Sequence, residues 1–122
     1  MTRERKNTGD LGEALAARYL ESRGMRILER KYTIRGGEID LIAKDGVYTV
    51  FVEVKTRRSA AYGTGAESIT PRKMAALWRT AEQYAQKHQL LDAPMRFDVV
   101  DIFLQRNGNP EITYIKNADI HA

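Results

Sequence analysis

A chain of 122 residues is long enough for one domain with its own core and too short for two comfortable ones. With 43% hydrophobic residues it is not a disordered polymer, and the absence of cysteine excludes disulfide scaffolds, thiolate nucleophiles and cysteine-built zinc sites. A net charge of +4, from 20 Lys+Arg against 16 Asp+Glu, is compatible with a polyanionic partner without demanding one.

Residues 1–7, opening on MTRERK, are expected to form a flexible basic arm ahead of a single domain over residues 8–118. The N-terminus lacks the apolar run of a signal peptide, and no stretch approaches the ~20 apolar residues of a membrane span. The expectation is a cytoplasmic protein. A helix is predicted from Thr8 to Arg23, with Leu11, Leu15 and Tyr19 on one face, widened by Ala16 and Leu20, and with Gly24 as its stop. Glu13 falls on the border of that apolar arc. Residues 25–34 read as a strand, broken by Gly36-Gly37.

The clearest signal follows: EIDLIAK, then Asp45-Gly46, then VYTVFVEVKT, a β-hairpin with a two-residue turn. Residues 57–69 form a polar loop. Thr70 and Pro71 open a second helix as N-cap and first helical residue, running to about His88 with Met74, Leu77, Trp78, Ala81 and Ala85 as its buried stripe. Pro94 precedes a strand, MRFDVVDIFL. Asn107-Gly108 marks a turn before the last strand, EITYIK. The order α-β-β-β-α-β-β implies an α/β sandwich with a mixed sheet.

Acids and a lysine recur inside the apolar hairpin. If Asp45-Gly46 is the turn, Lys44 faces Val47, Asp40 faces Phe51 and Glu38 faces Glu53. One face then carries Ile39, Leu41, Ala43, Tyr48, Val50, Val52 and Val54. The other carries Glu38, Asp40, Ile42, Phe51, Glu53 and Lys55. Asp40 and Glu53 become diagonal neighbours with Cβ atoms about 7–8 Å apart. Three readings stay open. The face is solvated, or it is covered, as Ile42 and Phe51 suggest, and the desolvated Glu53 is either in a structural ion pair with Lys55 or, with Asp40, on a metal. The chemistry fitting the last reading is Mg²⁺-assisted (or Mn²⁺-assisted) phosphodiester hydrolysis. Asp40, Glu53 and the carbonyl of Val54 would supply hard oxygen ligands. Lys55 would reach the attacking water or the scissile phosphate, and Glu13 would act from the first helix.

Other candidates are weaker. Arg57-Arg58 and Arg72-Lys73 either contact phosphates or are ordinary solvated pairs, and Tyr62 either stacks on a base or packs its loop. His88 and His121 are too poor in companions for zinc. Asp98 is expected to pair with Arg96 in a structural role. No phosphate-cradling glycine loop is present in the required context.

Asp40, a 12-residue spacer and Glu53-x-Lys55 at the end of an apolar strand resemble the PD-(D/E)xK nuclease superfamily. Together with GEALAARYL, GEIDLIA and FVEVKTR, they resemble the YraN-like family of uncharacterised bacterial proteins, similar in fold to archaeal Holliday junction resolvases. The resemblance covers about residues 8–104, although Ile39 stands where the superfamily places a proline. It implies a restriction-endonuclease-like α/β/α sandwich with a mixed sheet of about five strands. It also implies a metal site at Asp40 and Glu53, Lys55 as the catalytic lysine and Glu13 as a helix-borne acid. Lys73 joins Arg57 and Arg58 as a nucleic-acid contact, because the family pattern tends to carry a lysine there. The implied activity is that of an endonuclease on structured DNA that leaves a 5′-phosphate, and resolvases of this branch work as symmetric dimers. A non-catalytic nucleic-acid-binding module and a protein-interaction domain remain the alternatives, since fold alone does not entail function.

Overall fold

The computed structural model describes residues 3–58, 69–106 and 108–118. Its elements are α1 (Arg3–Ser22), β1 (Arg26–Ile34), β2 (Gly37–Asp45), β3 (Tyr48–Arg57), α2 (Pro71–Lys87), β4 (Met95–Leu104) and β5 (Pro110–Ile115). The strands form one five-stranded sheet in the order β1-β2-β3-β4-β5. All neighbours are antiparallel except β3 and β4, which run parallel. A parallel pair needs a long crossover, and α2 provides it.

The two helices cover opposite faces. Against one face, Ala16, Ala17 and Leu20 of α1 pack on Leu41, Ala43, Val50, Val52, Val100 and Ile102. Against the other, Met74, Leu77, Ala81 and Tyr84 of α2 pack on Ile42, Phe51, Phe97 and Val99. Both faces of the central strands are therefore dry, which explains the unbroken run Val50-Phe51-Val52. This is the α/β sandwich with a mixed sheet that the element order implied.

Three details differ from the sequence-based expectation. Helix α1 begins at Arg3 rather than Thr8, continuing through good helix formers. Its buried face is centred on Gly12, Ala16 and Leu20, leaving Leu11 45% exposed. The cause is close approach: a Cβ on Gly12 would lie 1.7 Å from Thr56 Oγ1, so the small residues meet the sheet and the larger ones flank them.

The hairpin turn is shifted by one residue. Asp45 pairs with Tyr48, so Gly46 and Val47 are the central residues, and Gly46 takes a φ of 59°. Glycine at the first central position suits a type II′ turn, whereas Asp45-Gly46 would have been type I′. Each facing partner thereby moves by two residues, and two is the side-chain period of a strand. The alternation survives the shift, except at Ile39, which joins the α2-side cluster where β2 has lost its pairing with β3.

The second helix begins as predicted, with Thr70 Oγ1 accepting from the Lys73 N–H at 3.1 Å and Pro71 following. Tyr62, His121 and most of the polar loop lie outside the described residues.

Candidate functional site

The site lies where β2 and β3 part. Their pairing runs from Asp45–Tyr48 to Leu41–Val52 and stops. Beyond it, the N–H of Val54 has lost its backbone acceptor, and Asp40 Oδ2 replaces it at 2.8 Å. Asp40 is thus locked across from Glu53 rather than diagonal to it. On an extended strand the carbonyl of Val54 faces the same neighbour as its N–H, toward Asp40. A pocket of about 270 Å³ opens at this fork, lined by Gly37, Glu38, Asp40, Glu53, Lys73, Ala76 and Leu77. Lys55 is not among its described lining residues, but it follows Glu53 on the same face of β3.

Helix α2 forms the opposite wall. A Cβ on Gly37 would sit 2.0 Å from Thr80 Oγ1, so glycine allows the helix to close on the mouth of the site. The same approach brings Lys73 Nζ to 3.3 Å from Glu53 Oε2.

Burial and crowding set the protonation of these groups. Burial, reinforced by the Glu53 carboxylate beside it, pushes Asp40 up to about 8 despite the Val54 N–H. Burial also opposes the charge on Glu53. The Asp40 carboxyl and the Lys73 and Lys55 ammoniums outweigh it and hold Glu53 below its ordinary value. Lys55 is pulled down by burial and by Lys73 nearby, against the attraction of Glu53 and Asp40. Lys73 ends above its ordinary value, because Lys55 and the two carboxylates overcome its partial burial. One proton shared by two close carboxyls is the expected outcome.

Glu13 stands at the edge of this field. Burial raises its proton affinity, opposed by Lys31, with Asp10 and Glu38 adding to the rise. Lys31 is a residue that sequence reasoning missed. It adopts a φ of 52°, a left-handed backbone that lysine rarely takes, and its Nζ reaches Asp10 Oδ1 at 2.7 Å and Glu13 Oε1 at 3.6 Å. The strained strand residue thereby ties α1 down over the fork. Nothing in a strand's alternation announces a positive φ, so no sequence signal pointed to it.

The basic candidates separate. Arg57 Nε pairs with the buried Asp101 at 3.2 Å, and its guanidinium lies 5.3 Å from the Phe103 ring centre. Arg58 Nε donates to Thr8 Oγ1 at 3.3 Å on the exposed surface. Lys73, expected as a phosphate contact, has its Nζ 3.3 Å from Glu53 Oε2. The Arg96–Asp98 pair is present, at 3.0 Å on the α1 side of the sheet.

Two helices flanking a five-stranded mixed sheet, with an acid from β2 and Glu-x-Lys from β3 converging where the strands part, are consistent with a restriction-endonuclease-like sandwich. The chain belongs to one protein family: the model of the Uncharacterised protein family UPF0102 matches residues 12–102. Similar proteins include a UPF0102 protein of Dehalococcoides mccartyi, 47% identical over 118 residues that cover 97% of each chain. Another, from Geotalea uraniireducens, is 46% identical over 94% of this chain and 91% of its own. A third, from Trichlorobacter lovleyi, is 47% identical over 90% and 87%. The membership agrees with the YraN-like resemblance read from the sequence. Among the described residues no helix is long and apolar enough to cross a membrane.

Proposed function

We propose that the protein is a divalent-cation-dependent nuclease that hydrolyses phosphodiesters in structured DNA, such as branches or junctions. The observation that carries this reading is the convergence of Asp40 and Glu53 in a pocket at the strand fork, with Lys55 alongside. The donor set suits a hard cation: two carboxylates, one pushed up to about 8 by burial and by its neighbour, and a backbone carbonyl facing the same fork. Mg²⁺ or Mn²⁺ would be held by Asp40, Glu53 and the carbonyl of Val54, with its remaining ligands from water. Such an ion supplies Lewis-acid polarisation of a phosphoryl oxygen and favours deprotonation of the attacking water.

The chain's own groups do the rest. Lys55, held below its ordinary proton affinity, takes a proton from water or, when charged, offsets negative charge on the phosphoryl oxygens. The water oxygen bonds to phosphorus, the bond to the 3′ oxygen breaks, and that oxygen takes up a proton, leaving a 5′-phosphate. Glu13, positioned by Lys31, accepts a hydrogen bond from water at the fork. Arg57, fixed by Asp101, presents a preoriented guanidinium to the next phosphate, with Arg58 extending the basic margin. The surplus of positive charge over the whole chain, +4, suits a polyanion.

Binding without hydrolysis is the second reading, and two observations favour it. Lys73 already neutralises Glu53, and among the described residues no group of three or more His, Cys, Asp or Glu is arranged to hold a metal ion. Incubation with junction, flap, single-stranded and duplex DNA, in Mg²⁺, Mn²⁺ or chelator, separates the two. A nuclease cuts only with metal, and Asp40→Asn, Glu53→Gln and Lys55→Ala each abolish cutting. Binding that falls steeply with salt and never cuts identifies the module. Neither binding nor cutting leaves a protein-interaction domain and overturns both readings.

A further inference from the structure

Lys73 is an odd residue for its position. It is the third residue of α2, where the helix dipole is positive and disfavours a cation, and the first turn of the helix contains no acid to compensate it. Its backbone is fixed, because its N–H donates to the Thr70 N-cap at 3.1 Å. Its compensation comes from another element: Nζ lies 3.3 Å from Glu53 Oε2. The two ends of this pair are unequally enclosed, with the Glu53 side chain 9% exposed and that of Lys73 37% exposed. The carboxylate cannot leave the fork, whereas the lysine, on a flexible four-carbon stem, can turn outward through the pocket it lines. A local rule broken at a helix start and repaired by a buried acid of another element points to function rather than to folding.

We propose that Lys73 is a stand-in cation. Its ammonium offsets the Asp40–Glu53 pair in the absence of metal, is displaced when a divalent ion enters, and then turns to the pocket mouth to meet a substrate phosphate. This rests on the metal site of the proposed nuclease. The charge balance drives the exchange. With one proton between them the two carboxyls need only one ammonium, whereas a divalent ion takes the place of both the proton and the ammonium and leaves Lys73 at the positive end of its helix without its hold on Glu53. Outside the fork, phosphate is the anion the reaction supplies. Metal binding and nucleic-acid binding therefore strengthen each other, because the metal frees the lysine that the phosphate requires and the phosphate prevents its return.

The test is Mn²⁺ binding by the full chain without nucleic acid, measured by calorimetry and by electron paramagnetic resonance of the free ion. Lys73→Met keeps the stem and removes the competitor, so it binds Mn²⁺ about tenfold more tightly than the wild type, equivalent to ~1.4 kcal/mol. Glu53→Gln loses the ion. In chelator, Lys73→Met lowers the melting temperature, and adding it to Glu53→Gln lowers it no further, because the pair is already broken. Lys73→Gln serves the same comparison if the Met variant fails to fold. Wild-type Mn²⁺ binding that either variant leaves unchanged or weakens overturns the stand-in role while the metal site survives. Failure of the wild type and both Lys73 variants to bind Mn²⁺ overturns the metal site and this proposal together.

Discussion

Two clusters of buried charge occupy opposite faces of the same sheet, and they are built on different principles. On the α1 face, the fully buried Asp98 accepts from Arg96 Nε at 3.0 Å, from the Asn117 N–H at 2.8 Å and from the Tyr114 hydroxyl. Arg96 also reaches Asp45 at 2.8 Å and lies 5.2 Å from the Tyr48 ring centre. That network ties the hairpin turn to β4, β5 and the chain beyond β5, and it saturates the acid at its centre with donors. On the α2 face, Asp40 and Glu53 confront each other at the edge of a pocket, and Asp40 accepts a single backbone N–H. Arg96 and Asp98 also recur inside an apolar strand, so the residue pattern alone does not distinguish the clusters. Saturation suits a cluster that holds the fold, whereas crowding beside open space suits the chemistry proposed for the other.

That contrast predicts opposite responses to removing an acid. Asp98→Ala should cost about 3–5 kcal/mol in urea unfolding, since it leaves the buried Arg96 guanidinium with only the partly exposed Asp45 as a carboxylate partner and takes the acceptor from the Tyr114 hydroxyl. A loss below ~1 kcal/mol would show that the α1-side network does not hold the fold. Next in size, Gly37→Ala forces a methyl against Thr80 and should cost about 1–3 kcal/mol while pushing α2 away from the fork. Any Mn²⁺ affinity should fall in this variant although Asp40 and Glu53 themselves are untouched. Asp40→Asn should instead stabilise the metal-free protein by about 1 kcal/mol at pH 8, as relief of crowding at a functional site commonly does.

The pH dependence follows from the same carboxyl. Folded Asp40 keeps its proton up to about 8, whereas the unfolded chain releases it near the ordinary 3.8. Stability of the wild type in chelator should therefore be fully supported by this group below that lower value and decline as pH rises through the window to about 8. Asp40→Asn should flatten the decline, and thermal melting from about pH 4 to about pH 8, the two ends of that window, reads it directly. The smallest expected effect is at Lys31. Lys31→Gly relieves a left-handed backbone but breaks exposed ion pairs, so unfolding free energy should change by less than about 0.5 kcal/mol. Cleavage should nevertheless fall as Glu13 loses its tether. A large stability change would make Lys31 part of the scaffold instead.

Much of this contrast was legible in the chain before folding. An acid and Glu-x-Lys embedded in apolar strands are costly unless paired or useful, and that cost exposed Asp40, Glu53 and Lys55. Their shared face survived a misplaced turn because the displacement equalled one strand period. What stayed hidden depends on contact between distant segments. The burial of Gly12 and Ala16 in place of Leu11 reflects how near α1 can come to Thr56, which helical periodicity does not encode. Thr80 and Tyr84 were absent from the expected α2 stripe, although both are buried. The positive φ of Lys31 and the pairing of Lys73 with Glu53 are likewise products of tertiary approach. The Arg96–Asp98 pair was foreseeable, being two residues apart on one strand.

Gly12 and Gly37 each stand one residue before an acid, Glu13 and Glu38. Each helix therefore leans on the sheet through a missing side chain immediately beside a charge that faces the fork. Spacing of the layers and placement of the acids are thus a single inherited unit. Anyone transplanting this centre into another scaffold would have to carry both notches along with the charged groups, or the walls would stand a methyl's width too far apart.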